Sequence, residues 1–422
     1  PIQLQAIGPI LDGRDVLAAA QTGTGKTAAF GLPLVEKLLK GKVPRKARSA
    51  HALILAPTRE LAAQIEEDIR NYALGAGLKT ALVFGGVNIR PQTAVLSGGV
   101  DILVATPGRL LDHIGQGNLS LSDVHFLVLD EADRMLDMGF IRDIRKILAL
   151  VPKARQTLLL SATFNDEIHA LAQSILTDPV DIEIAKNKDC ALVHQEVYFA
   201  AKKRKRDLLR DLIVDNDWEQ VLVFTRMKHA ANRLAEQLAK DGLTSAAIHG
   251  NKSQSARTKA LIGFKNKTIR VLVATDIAAR GLDIKDLPQV VNYELPNVPE
   301  DYVHRIGRTG RAGQTGLAVS LVSPEETSEL KAVERLLKKK LTVKTAPGYE
   351  KASPSDAEEI ESPRKRAQSK HRHGPKRPVP VRDKKTTQSP EKVSFDKKPR
   401  KAPAKTFGKK SASVRWEKPS LT

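Results

Sequence analysis

The strongest constraint on this chain is an alternation that it lays down twice. Short apolar runs, many of them β-branched, recur between turn or polar residues. In the first half they are "DVLAAA", "ALILAP", "TALVFGG", "DILVATP", "FLVLDEAD" and "TLLLSAT"; in the second, "QVLVFTR", "SAAIHG", "IRVLVATD", "QVVNYELP" and "GLAVSLVS". Helical patterns lie between them, as at Glu60–Tyr72, Lys228–Asp241 and Ser253–Phe264. Strands without strict polar alternation, separated by helices, imply parallel sheets buried on both faces. The expectation is therefore an α/β chain with two such sheets, the break falling at Ala185–Ala191, where "AKNKDCA" is polar and without period. Open parallel sheets bind ligands outside the carboxyl ends of their strands. The notable polar residues of this sequence stand there, directly after the apolar runs.

Two of those strand ends carry phosphate chemistry. After the first run comes "AQTGTGKT", residues Ala20 to Thr27. It has the Walker A form, with Ala20 in the place of the first glycine. Gly23 and Gly25 let backbone N–H groups turn towards phosphates, and the following helix offers its positive end. Lys26 would reach the β- and γ-phosphates and Thr27 would hold Mg²⁺. The second element is "VLDEAD", Val128 to Asp133, where an apolar strand ends in two adjacent carboxylates. Asp130 would hold Mg²⁺ through water and Glu131 would orient the attacking water, the division of labour that phosphoryl transfer needs. An acidic strand end alone reads as a helix cap; beside a Walker A loop it reads as Walker B.

With these residues in view the sequence resembles a DEAD-box ATP-dependent RNA helicase, and in local wording the bacterial RhlE-like branch. The further motifs run in order: "PIQ" (Pro1–Gln3), "PTRELA" (Pro57–Ala62), Gly85–Gly86, "TPGRL" (Thr106–Leu110), "SAT" (Ser161–Thr163), "VFTR" (Val223–Arg226), "HGNKSQSAR" (His249–Arg257), "ATDIAARGLDI" (Ala274–Ile284) and "HRIGRTGR" (His304–Arg311). The resemblance covers roughly residues 1–343. It implies two tandem RecA-like parallel-sheet domains, at 1–186 and 192–344, joined by a linker at 187–191. Gln3 would read the adenine edge, and the loop Ala20, Gln21, Thr22, Gly23, Thr24, Gly25, Lys26 and Thr27 would hold the triphosphate. Ser161 and Thr163 would couple the nucleotide site to the domain interface, with His304 opposite. Asp283 would approach the ribose, and Arg308 and Arg311 would be arginine fingers. Their spacing of three residues lets both face one way on a helix. Two departures from the family stand out. The aromatic residue upstream of Pro-x-Gln is not in the sequence, which opens at Pro1 without Met, as if its true beginning were missing. Gly8-Pro9 replaces a proline one position earlier, with a local change of turn expected.

The resemblance also implies an RNA surface. Thr58, Arg59, Gly86, Thr106, Gly108 and Arg109 would line the groove of the first domain, and Arg226, Gly250, Gln254, Arg257 and Thr275 that of the second. Such residues suit phosphates and 2′-OH groups and carry little base information. Aromatics make up only 4% of the chain, so stacking-based readout is not expected.

Charge adds a third segment. The net charge is +21, and residues 345–422 hold 21 Lys and Arg against 9 Asp and Glu. That stretch is rich in Pro, Lys and Ser and poor in large apolar residues, so it reads as a disordered basic tail. It would be either a solubilising appendage or an electrostatic tether for a polyanion. The single cysteine, Cys190, excludes a disulfide framework and multi-Cys metal sites, and favours a reducing, cytoplasmic setting. No apolar run is long enough to span a membrane, and no secretory leader is visible. "KKRKR" at Lys202–Arg206 reads as the solvated start of a helix, with an RNA patch as the alternative. The expected activity is RNA-stimulated ATP hydrolysis with Mg²⁺, by a monomer that separates or remodels short duplexes and RNA–protein complexes in ribosome assembly or RNA turnover. An inert P-loop scaffold, a small-molecule kinase, a DNA helicase and an annealing or clamping remodeller are the rival classes.

Overall fold

The computed structural model describes residues 2–19, 25–41, 43–183, 193–279, 284, 287–310 and 315–349. Several residues singled out above therefore lie outside the described residues: Ala20, Gln21, Thr22, Gly23, Thr24, Asp283 and Arg311, together with the linker at 187–191 and the tail from 350 onward.

The first sheet contains β1 (Val16–Ala19), β2 (Ala50–Leu55), β3 (Thr80–Val83), β4 (Val100–Ala105), β5 (Phe126–Leu129), β6 (Gln156–Ser161) and β7 (Val180–Glu183). The second contains β8 (Val193–Phe199), β9 (Val221–Thr225), β10 (Ser245–Ile248), β11 (Val271–Thr275), β12 (Gln289–Asn292), β13 (Gly316–Val322) and β14 (Thr342–Lys344). Their orders are β3-β4-β2-β5-β6-β1-β7 and β10-β11-β9-β12-β13-β8-β14, the same arrangement repeated. Every ladder is parallel. Three strands, β7, β8 and β14, add to the eleven read from the apolar runs.

Parallel strands need crossovers, and amphipathic helices supply them. The Arg59–Tyr72 helix begins where Thr58 Oγ1 accepts from the Leu61 N–H (3.3 Å) and buries Leu61, Ile65 and Ile69. Ser253 caps the Gln254–Lys265 helix in the same way, through the Ala256 N–H. Apolar clusters cover both faces of each sheet. On the first sheet, one gathers Phe30, Leu34, Ile54 and Ile65, and the other Leu53, Leu103, Leu127 and Ile144. On the second, Leu209, Trp218 and Leu234 lie in one cluster, and Phe264 and Tyr302 lie in two others. Each such side chain stabilises by ~1.5–3 kcal/mol on burial. The sheets are thereby held rigid, and their carboxyl edges become platforms.

Gly8-Pro9 does not produce the expected turn. The Ile2–Leu11 helix runs through Pro9. The carbonyl that Pro9 cannot bond belongs to Gln5, which is exposed, so water can satisfy it.

Candidate active site

The carboxyl edge of the first sheet gathers the nucleotide residues. β1 ends at Ala19 and the next helix, Lys26–Gly41, opens on Lys26 itself. Gly25 sits at φ +85°, a conformation suited to glycine. A Cβ there would stand 2.7 Å from Gln3 Nε2, and that same nitrogen donates to Gly25 O at 3.4 Å. Gln3 is therefore packed against the phosphate loop. Lys26 is buried, with Nζ 3.8 Å from Asp130 Oδ1, and Thr27 follows it, half-buried.

Asp130 extends β5, and its N–H donates to Leu55 O at 3.0 Å. Burial pushes its carboxyl up to about 6, against the opposing pull of Lys26. Glu131 is held at φ +52°, ψ +53°, a left-handed conformation that a long side chain rarely adopts. Both its carboxylate oxygens are buried without a hydrogen bond. Asp133 is fully engaged: Oδ2 accepts from the Ala162 N–H (3.2 Å) and from the Thr163 N–H and Oγ1 (3.0 Å each). Ser161 Oγ donates to Thr163 O at 2.6 Å. The "SAT" turn at the end of β6 is thus tied to the acidic turn at the end of β5.

The second lobe meets this edge at two places. Arg134 Nη1 lies 3.8 Å from Asp301 Oδ1, on the Pro299–Ile306 helix, and His304 Nδ1 is 3.8 Å from the same oxygen. Asp301, His304 and Arg308 line one small recess, and Arg308 is buried. Arg308 does not stand on a helix, as the spacing suggested, and Arg311 lies outside the described residues. The helix stops at Ile306, and Arg308 stands in the turn beyond it, its N–H on Arg305 O at 3.2 Å. Arg305 is instead the embedded one: it forks onto Asp276 at 2.6 and 2.8 Å and also bonds Asn292 and Glu294 O.

The second meeting point joins residues expected on the RNA face. Arg257 Nη2 reaches Glu60 Oε2 at 2.8 Å, and Gln254 Nε2 reaches Glu60 Oε1 at 2.9 Å. Arg59 Nη1 donates to Gln254 Oε1 at 3.3 Å, and Gly86, at φ +80°, leaves room for the Arg59 guanidinium. Gln254 and Arg257 therefore clasp the opposite lobe. Thr58 caps its helix. Thr106 lies buried at the end of β4. Gly108 and Gly250 border open space, and Thr275 is half-buried at the end of β11. Arg109 donates to Val87 O at 3.1 Å and keeps Nη1 without a partner. Arg226 is half-buried, its guanidinium bonding Leu295 O (2.5 Å), Glu326 (3.2 Å) and Glu329 (3.1 Å).

Glu60, Asp133, Arg134 and Asp301 escaped the sequence reading as individual site residues. The first two were in plain view inside "PTRELA" and "VLDEAD". Buried polar groups are normally satisfied. Among the described residues the exceptions include both Glu131 oxygens, Arg109 Nη1, Arg257 Nε and His304 Nδ1, all in this region.

The donors suit a magnesium ion. A hydroxyl and a carboxylate are hard oxygen ligands, and Mg²⁺ typically takes one or two carboxylates with substrate phosphates. Two adjacent buried carboxylates facing one ammonium also leave negative charge for a cation to balance.

A family model for the DEAD/DEAH box helicase domain matches residues 1–171, and one for the helicase conserved C-terminal domain matches residues 204–313. The ATP-dependent RNA helicase RhlB of Pseudomonas syringae pv. tomato (strain ATCC BAA-871 / DC3000) is 44% identical over 355 residues, covering 83% of this chain and 89% of that protein. This chain belongs to the DEAD-box ATP-dependent RNA helicases. The DEAD-box ATP-dependent RNA helicase CshA of Geobacillus kaustophilus (strain HTA426) is likewise 44% identical, over 83% of this chain and 74% of its own length. Among solved structures, S. cerevisiae Dbp5 bound to RNA and ADP BeF3 shares 29% identity at a TM-score of 0.72, covering 86% of this chain and 92% of that one. The two lobes of this helicase are RecA-like, and it is an ATP-hydrolysing enzyme. No helix among its described residues is long and apolar enough to cross a membrane.

Proposed function

We propose that this helicase hydrolyses ATP when its two lobes clasp an RNA strand, and that the clasp separates short duplexes or displaces bound protein locally. The observation that carries this reading is the Arg134–Asp301 contact, which sets the end of the second lobe bearing His304 and Arg308 beside the first lobe's acidic turn. A guanidinium delivered only on closure stabilises a transition state whose charge is spread over the phosphoryl oxygens. Hydrolysis is thereby made conditional on closure.

Lys26 neutralises phosphate charge from one side and Arg308 from the other, with Arg311 as the second finger. Thr27 and Asp130 would hold Mg²⁺, which would supply neutralisation of phosphate charge. Glu131, whose oxygens accept nothing among the described residues, is free to take a proton from water. Gln3 and the loop from Ala20 to Thr27 seat the nucleotide, with Asp283 at the ribose. Asp133 links Thr163 to the acidic turn, so a shift at the γ-phosphate reaches the lobe interface through one carboxylate.

RNA lies across Thr58, Arg59, Gly86, Thr106, Gly108 and Arg109 of residues 1–186, and across Gly250, Gln254, Arg257 and Thr275 of residues 192–344, joined through 187–191. Gln254 and Arg257 act there by closing the lobes as much as by touching phosphate. Arg226 acts indirectly, by fixing the carboxyl edge of the second lobe. The tail at 345–422 tethers RNA by charge, so its deletion should flatten the salt dependence of binding. Ribosome assembly or RNA turnover in the cytoplasm, as a monomer, is the setting that the RhlE-like wording of residues 249–261 supports.

The test is the RNA-stimulated ATPase of Arg308→Ala, expected to fall ~10³-fold or more. Near-normal turnover in that variant would overturn the closure mechanism. RNA, and not DNA of the same sequence, should stimulate the parent.

A further inference from the structure

The second sheet repeats the first strand for strand, so the nucleotide edge of the first lobe has a counterpart in the second. Lys26 opens the helix after β1, and Lys205 opens the helix after β8, Lys205–Asp215. Lys26 Nζ stands over Asp130, the residue that follows β5. Lys205 Nζ donates to the carbonyl of Tyr293, the residue that follows β12, at 3.0 Å. The two ammonium groups occupy equivalent places in equivalent lobes.

The counterpart is not filled by packing. A cavity of about 690 Å³ opens at this edge, lined in part by Lys202, Lys203, Arg206, Arg233, Tyr293 and Glu326. That is the size of a small-molecule site. Its floor differs from that of the first lobe. Residues 200–204 contain no glycine, so the backbone cannot wrap a phosphate, and the Lys205 ammonium already binds Glu326. Its rim is cationic from two directions. Lys202 and Lys203 come from the loop after β8 and Arg233 from the Lys228–Lys240 helix. All three are exposed, and none has an ion pair among the described residues. Lysines and arginines outnumber glutamates six to three in the lining, with Glu325 near enough to Lys202 to feel its charge, and an anion with several closely spaced charges balances the excess best.

We propose that this pocket of the second lobe binds a small polyphosphorylated molecule, its phosphates gripped by Lys202, Lys203 and Arg233. RNA is disfavoured as the occupant by position. Gly250, Gln254 and Arg257 follow β10, and Thr275 ends β11, at the opposite end of the strand order from β8 and β13. Of the residues expected on the RNA face, only Arg226, which follows β9, lines the pocket, and none of the described ATP-site residues does; a ligand there would act on the lobe that supplies Arg308.

Calorimetry with inorganic tripolyphosphate tests this. The full-length chain carrying Lys26→Ala removes the first lobe's phosphate grip, and a second chain adds Lys203→Glu and Arg233→Glu. The first should show a saturable component that weakens about tenfold or more in the second. Binding to the basic tail is common to both and cancels in the comparison. Equal binding in the two chains overturns the proposal. So does displacement of that component by a short single-stranded RNA, which would make the rim part of the RNA path. With Lys26 restored, Lys203→Glu/Arg233→Glu should keep its RNA-stimulated ATPase at saturating RNA and its melting temperature. A loss of that ATPase would also assign these residues to RNA.

Discussion

At the carboxyl edge of the first sheet, Glu131 has two buried oxygens and no donor among the described residues. At the same edge of the second sheet, Glu326 has five donors: Lys205 Nζ, the N–H and hydroxyl of Ser323, the Leu295 N–H and Arg226. Strand order, helix entry and the lysine at the helix start are shared. The difference is where the negative charge comes from. In the second lobe the protein supplies its own carboxylate to the lysine, and the edge is complete without a triphosphate. In the first lobe Lys26 faces Asp130 at 3.8 Å, and a strained glutamate stands beside it with no hydrogen bond among the described residues. One edge has been stabilised, and the other holds back stability for a substrate.

Swapping carboxylate for amide at each edge would break this comparison most sharply. Glu131→Gln should lower RNA-stimulated kcat by ~10²–10⁴, because the amide cannot take a proton. Its melting temperature should not fall, since nothing among the described residues bonds those oxygens. Comparable turnover in the variant would remove Glu131 from the chemistry.

Glu326→Gln should do the opposite. Removing one partner of a buried pair strands the other charge, at a cost of ~3–5 kcal/mol. Urea unfolding of the second lobe should move to a markedly lower midpoint, while kcat at saturating RNA survives below that midpoint. An unchanged midpoint would show that Lys205 finds other compensation.

The contrast between these two glutamates also marks what the sequence could convey. Runs that are buried at every position, such as β2, β4 and β6, announce themselves by composition. The strands overlooked are the ones with polar content. Val193–Phe199 carries His, Gln and Glu, Val180–Glu183 exposes Asp181 and Glu183, and Thr342–Lys344 is exposed throughout. They sit at or next to a sheet edge, where two-sided burial no longer applies. The site divides in the same way. Lys26, Asp130 and Glu131 were legible because phosphate chemistry fixes local spacing. Lys205 was misread as part of a solvated helix start because its burial depends on Glu326, 121 residues away. The Glu60–Arg257 clasp spans 197 residues, and no local pattern encodes it.

That clasp supplies a smaller test of the asymmetry. Glu60 faces the other lobe, so its loss should affect closure more than folding. A hydrogen bond to a charged group contributes ~1.5–3 kcal/mol. Glu60→Gln should therefore raise the RNA concentration for half-maximal ATPase by roughly tenfold, with kcat at saturation nearly kept. A fall in kcat with no change in half-saturation would place Glu60 in the chemistry instead.

The smallest effect concerns Asp130, and it sharpens the idea that the first edge forgoes stability. Its carboxyl titrates near 3.8 in the unfolded chain and is pushed up to about 6 by burial in the folded one. The folded state therefore binds the proton more tightly. Between about pH 4 and pH 6 this group makes stability fall as pH rises, and above about pH 6 the loss is complete. Asp130→Asn removes the ionisation and keeps an oxygen for the Glu131 N–H, which Asp130 Oδ1 now accepts at 2.9 Å. Asn stands in for the protonated acid only in part, which leaves a net gain of about 1 kcal/mol at pH 7, or roughly 2–4 °C in Tm for a lobe of this size. Without nucleotide, the variant should melt above the parent at pH 7 and converge with it near pH 4, while losing its ATPase. Parallel melting curves across that range would mean that Asp130 is ionised without penalty, and that the first edge is as well balanced as the second.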